Sequence, residues 1–208
     1  LEGLDGWTIA LDGMPLVLPQ KVTAPLVLGP AQRIDLIVDV IAEAGQTAHI
    51  VQLGQEDAIS QVAFEVRTGG TSTTRTAPKA LPQNKYSPVD LTAATQLTLK
   101  MEGGAMGGMQ SATLGGQDKS MREIVDAGRY WAFNGAADGI EGDPLANLKL
   151  GEHVRIGITN DTAFPHAMHL HGMHFHEISE AGEPGPLRDT TLLQRGATRE
   201  IAFVADNP

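Results

Sequence analysis

The 208-residue chain contains no cysteine. Within it that excludes disulfides, zinc–thiolate and iron–sulfur centres, and a thiol nucleophile. Positive charge is also short: 15 Lys and Arg stand against 25 Asp and Glu, a net charge of −10. A basic patch for nucleic acid or for an anionic membrane surface is therefore not expected. No run approaches the roughly 18 consecutive apolar residues of a membrane span. No Gly-x-Ser-x-Gly hydrolase elbow occurs, and the glycine-rich stretch 103–108 lacks the Lys and the strand-to-helix setting of a phosphate loop. The chain opens on Leu1 without the charged-then-apolar shape of a signal peptide, which predicts either a removed leader or a piece of a longer protein.

Glycine (24) and proline (12) are plentiful and punctuate short apolar runs about every ten residues. This is the pattern of an antiparallel β sandwich or barrel. The clearest run is 33–40, where Ile34, Leu36, Val38 and Val40 alternate with Asp35 and Asp39, predicting one buried and one wet face. Further strands are expected over 7–11, 26–28, 48–53, 62–67, 96–101, 129–134, 153–160 and 198–204. Ser120 followed by Glu123, Ile124 and Val125, with Gly128 beyond, predicts one short helix with a capping box. The fold class is all-β. Residues 69–90, with a Gly pair, a Thr/Ser cluster and Pro78, Pro82 and Pro88, read as a linker. The chain thus divides into a partial β domain over 1–68 and a larger one over 91–208.

Five of the seven histidines fall within eleven residues: His166, His169, His171, His174 and His176. A helix cannot gather them, because positions two apart diverge by about 200°. In extended chain His169 and His171 point one way and His166 the other, so one strand would serve two separate places. Two imidazoles on one side can share a metal or metal cluster, and imidazole suits copper, zinc, iron and nickel. No carboxylate stands at a facial-triad spacing, which disfavours non-haem iron. If the strand continues, His174 and His176 fall on the side of His166, where a structural or ligand-supporting role is the better reading. His49 and His153 are isolated and carry no assigned role. No catalytic side chain other than these candidate metal ligands is singled out. Asp189, after Arg188 in a turn, reads as part of a surface ion pair with Arg188 or Arg195. Met101, Met106 and Met109 sit in a glycine-rich stretch, where gap-filling is the ordinary reading and cuprous-ion binding the alternative.

The element His166-Ala167-Met168-His169-Leu170-His171-Gly172 resembles the His-x-x-His-x-His-Gly element of the multicopper oxidases, the laccase and copper-efflux-oxidase family. Its surroundings agree: Asn160-Asp161-Thr162 before it, Arg188-Asp189-Thr190 after it, and Phe203 to Pro208 beyond. Upstream, Leu28-Gly29-Pro30-Ala31-Gln32-Arg33-Ile34-Asp35 resembles the family's Pro-Gly-x-Arg-x-Asp strand start, and Phe133-Asn134-Gly135 its Ile-Asn-Gly strand.

The resemblance implies cupredoxin-like Greek-key β sandwiches, with part of a middle domain and most of a C-terminal domain. It implies that His166 ligates type 1 copper, His169 type 2 copper and His171 one of the type 3 pair, the last two belonging to a trinuclear cluster. Type 1 copper would take single electrons from a phenol, an aromatic amine or Cu(I), and the cluster would reduce O2 to water. The family's His-Cys-His element and its two N-terminal His-x-His elements are absent, so the remaining parts of a parent enzyme are needed to complete the copper sites. The expectations are truncation at both ends, no oxidase activity from this chain alone, and an exposed sheet edge that destabilises or associates. A periplasmic or secreted location is implied by the resemblance alone. Three alternatives remain: a copper-sequestering module without turnover, a copper nitrite reductase relative, and a structural relative that has lost its copper.

Overall fold

A computed structural model describes residues 1–54, 56–69, 76–104 and 106–207. By backbone contacts the chain splits into two compact units, one of residues 1–28 and 33–84, the other of 29–32 and Lys85 onward. Of the expected linker, residues 70–75 lie outside the described residues, 76–84 group with the first unit and 85–90 with the second. Among the described residues no helix is long and apolar enough to cross a membrane.

The first unit carries β1 (Leu4–Leu11), β2 (Met14–Lys21), β3 (Ile34–Val40), β4 (Thr47–Leu53) and β5 (Ala58–Glu65). β1 is the centre of an antiparallel sheet ordered β2-β1-β3, and β4 pairs with β5. Asp12 (φ 51°) and Gly13 (φ 80°) form the left-handed two-residue turn that right-twisted hairpins favour. β1 alternates buried and half-buried positions along its whole length. β3 does not show the clean alternation expected of it: as an edge strand it leaves most positions half-buried, and Val40 is exposed. Residues 26–28 form no strand. Pro25 lacks a backbone donor, no strand among the described residues pairs with the segment, and Val27 is exposed.

The second unit begins its regular structure with β6 (Thr95–Gly103), the hairpin β7 (Ser111–Leu114) and β8 (Gln117–Ser120), helix α1 (Met121–Asp126) and β9 (Trp131–Phe133). Then follow β10 (Glu152–Thr162), β11 (His166–His169), β12 (Phe175–Ile178), β13 (Pro184–Arg188), β14 (Thr190–Leu193) and β15 (Thr198–Ala205). Six strands form one sheet in the order β13-β12-β15-β10-β6-β9, and β11 pairs antiparallel with β14. The helix is capped as its sequence predicts: Glu123 N–H donates to Ser120 Oγ, and Ser120 N–H donates to the Glu123 carboxylate at 2.9 Å.

The core of this unit gathers Val154, Ile156 and Ile158 of β10, Ile201, Phe203 and Ala205 of β15, Phe175 of β12 and Leu193 of β14. Burying each large side chain contributes about 1.5–3 kcal/mol. Met168 and Leu170 pack against this core, which ties the histidine-bearing strand to the large sheet. The chain is nearly all β, as its turn spacing predicts.

Candidate metal centre

The histidine strand is shorter than its sequence suggests. β11 ends at His169, and His171–Gly172 form a turn with Gly172 at φ 81°. A Cβ on Gly172 would also lie 2.5 Å from Asn207 Nδ2, which donates to the Gly172 carbonyl at 2.9 Å. Glycine is thus required twice over at this position. The turn breaks the alternation beyond it, so the side predicted for His174 and His176 does not hold. His176 sits on β12, where its Nδ1–H donates to the Gly185 carbonyl at 2.6 Å and its ring meets Tyr86 edge-on. That is a structural role. His174 is exposed.

The two sides of β11 and the turn after it differ. His169 and His171 bring their rings together, with centroids 4.8 Å apart. The His166 ring instead packs edge-on against Trp131, at 4.8 Å between centroids, and its Nε2 lies 2.9 Å from Thr162 Oγ1. Burial holds the His166 ring below the usual imidazole range, because the cation loses hydration there.

Each tethered ring keeps one nitrogen uncommitted. His169 Nδ1 faces the Asp189 carbonyl at 3.1 Å and Thr190 Oγ1 at 3.0 Å. A carbonyl only accepts, so Nδ1 carries the proton and Nε2 keeps its lone pair. The Asp189 carboxylate adds a third contact to the same Nδ1, at 3.3 Å. Asp189 therefore does not lie on the surface. It is buried, it accepts from Thr190 Oγ1 at 2.7 Å, and Arg188 pairs with Glu177 instead. The antiparallel register that sets His169 opposite Thr190 brings Asp189 there, a long-range pairing that the local text does not reveal. Gln32 reaches the same strand, donating to the Thr190 carbonyl at 3.0 Å.

Beneath His166 lies a polar knot that sequence reasoning missed. Asn160 is fully buried, and Thr162 nearly so. The Asn160 amide nitrogen donates to the carbonyls of Phe164 (2.7 Å), Gln194 (3.1 Å) and Leu193 (3.3 Å). Its oxygen accepts from the backbone N–H (3.1 Å) and hydroxyl (2.7 Å) of Thr162. The Asn160-Asp161-Thr162 triplet, placed just ahead of the histidines, was the available signal.

The methionines do not converge. Met101 and Met109 are buried, Met109 in a small cluster with Ile124 and Ala132, while Met106 is exposed. Residue 105, in the same stretch, lies outside the described residues. His49 bonds Ser60, and His153 Nδ1 accepts from Asp90 N–H. Among the described residues no group of three or more His, Cys, Asp or Glu side chains is arranged to hold a metal ion. The donors present fit copper as part of a set: imidazoles, of which those of His166 and His169 are each anchored through one nitrogen.

Comparison with known proteins agrees with this chemistry. A family model described as multicopper oxidase matches residues 111–208. The multicopper oxidase MmcO of Mycobacterium tuberculosis is 29% identical over 203 residues, covering 95% of this chain and 36% of that protein. A copper resistance protein A homolog of Pseudomonas syringae pv. tomato is 37% identical over 76 residues, 36% of this chain and 13% of that protein. Among solved structures, Lac15 from a marine microbial metagenome matches all of this chain and 44% of its own, at 33% identity and a TM-score of 0.72. A multi-copper oxidase from Pseudomonas thermotolerans matches 99% of this chain and 44% of its own, at 25% identity and a TM-score of 0.70. The likeness runs through both units, which are cupredoxin-like, and the chain spans less than half the length of each of these relatives. These matches, together with the histidine strand, support the chain as a fragment of the multicopper oxidase family.

Proposed function

We propose that this chain supplies three histidine ligands, on one backbone, to two separate copper centres of a multicopper oxidase. The observation that carries the reading is the pairing of His169 with His171 while the His166 ring packs apart from them against Trp131. His166 would hold type 1 copper, His169 type 2 copper, and His171 one copper of the type 3 pair. When bound, copper supplies one-electron oxidation of a small donor (a phenol, an aromatic amine or Cu(I)) at the first centre and reduction of O2 to water at the second.

The residues of this chain position and insulate. Asp189 and Thr190 keep the proton of His169 on Nδ1 and aim Nε2 outward. Trp131 shields the His166 ring, and Met168 and Leu170 anchor the strand in the core. The Gly172 turn carries His171 back beside His169. A blue copper centre also needs a thiolate and a second imidazole, and this chain has no Cys. The remaining ligands are therefore assigned to polypeptide outside these 208 residues. Support for this comes from relatives more than twice as long, and from Asn207, whose contact with Gly172 keeps the chain after β15 beside the histidine turn. A periplasmic or secreted location accompanies this reading.

The resemblance to copper resistance protein A supports a second reading, copper binding without turnover. Copper content, visible absorption and EPR of the full-length protein separate the two. An intense blue band with stoichiometric copper is the expected result, copper without that band favours sequestration, and absence of copper overturns both. The 208-residue chain given copper and a phenolic donor is expected to consume no O2, and clear turnover would refute its assignment as an incomplete oxidase.

A further inference from the structure

We propose that Asn160 and Thr162 form a buried positioning pair that places the proton of His166 on Nε2 and so turns an unprotonated Nδ1 toward the metal. The inference follows from counting donors. The Asn160 amide nitrogen faces three backbone carbonyls, so its orientation is settled and its oxygen must face Thr162. That oxygen lies 2.7 Å from Thr162 Oγ1 and can only accept, so the single hydroxyl proton of Thr162 is committed to it. The other neighbours of Oγ1 agree: the Phe164 carbonyl at 3.1 Å is a second acceptor and the Phe164 N–H at 3.2 Å is a donor. No hydroxyl proton is left for His166. The 2.9 Å contact between Nε2 and Thr162 Oγ1 is therefore a bond that the imidazole donates.

The same pair also fixes where the ring sits. Asn160 lies at the end of β10, and its side chain reaches the 163–165 turn through Phe164 and the end of β14 through Leu193, the residue registered opposite His166. Two sheets are thereby joined beneath one histidine. His169 is held the other way, with its proton on Nδ1. One four-residue strand thus carries two imidazoles in opposite tautomers, each set by protein and not by metal.

The consequence for a metal rests on the copper reading above, but the tautomer does not, and the test keeps them apart. Nitrogen-resolved NMR of the histidine rings is recorded on the metal-free 208-residue chain at about pH 8, where imidazole is neutral. Wild type is expected to show His166 as the Nε2–H form alone, with that proton slow to exchange with water. In Thr162→Val the loss of one buried hydrogen bond should speed the exchange about tenfold and admit the other tautomer. Thr162→Ser should restore the wild-type signature, which a merely structural role of the position would not require. An Nδ1–H or mixed His166 in wild type overturns the proposal even if the valine variant does not fold, and so does a valine variant indistinguishable from wild type. If the tautomers are as expected and the full-length protein binds no copper, the positioning pair stands and the copper reading falls.

Discussion

The two units use the same strand grammar and reach different degrees of burial. In the second, β10 buries every other residue and β15 is buried at every position from Ile201 to Ala205, with Leu193 of β14 and Met168 of β11 packed into the core they share. In the first, among the described residues, only Leu4, Ala10, Met14, Leu16 and Ala48 are large or methyl-bearing apolar residues that are buried, and β5 is exposed along nearly its whole length. Alternation in a sequence identifies which face could be buried. Whether it is buried depends on another layer facing it, and that information lies far away in the chain.

The largest expected effect is in the second unit. Phe175 is completely buried in its core, and Phe175→Ala should cost about 3–5 kcal/mol in denaturant unfolding. A loss below about 1 kcal/mol would mean that this core is not the better packed of the two. An intermediate effect is expected at the helix: Ser120→Ala removes the capping hydroxyl and should lower stability by about 1 kcal/mol, with a matching loss of amide protection in the first turn. The smallest belongs to the first unit. Ile59 is half-exposed on β5, so Ile59→Thr should change stability by no more than about 0.5 kcal/mol. Hydrogen exchange sharpens the contrast without mutation: amides of β10 and β15 should exchange far more slowly than those of β4 and β5, and equal protection would erase the distinction.

What was legible in the sequence follows the same division. The capping box, the β10 and β15 runs and the parity of His166 against His169 are local patterns that the structure keeps, whereas His171 comes beside His169 through the Gly172 turn and not through a continued strand. The segment 26–28 looked like a strand, and its apolar residues carry no sign that a pairing partner is missing. β14 carries no strand signal in the sequence because its Thr-Thr-Leu-Leu has no alternation, being buried at three of four positions. Asp189 reads as a surface charge in the sequence because only the β11–β14 register reveals that it sits against His169. Asn160 and Thr162 illustrate the same limit. The text marks them only as part of the triplet ahead of the histidines, and their role emerges once β10, the 163–165 turn and β14 meet around them.

The claim on which the rest depends is that one short strand serves two separate metal positions. Its most direct test is a copper(I) titration of the 208-residue chain followed by the ring resonances of each histidine, in wild type and in His169→Gln. The expected result is that His169 and His171 respond together, that His166 responds in a distinct step, and that His169→Gln abolishes the first response while sparing the second. If all three rings respond as one site, or if the His166 response disappears with His169, the two-centre reading is contradicted.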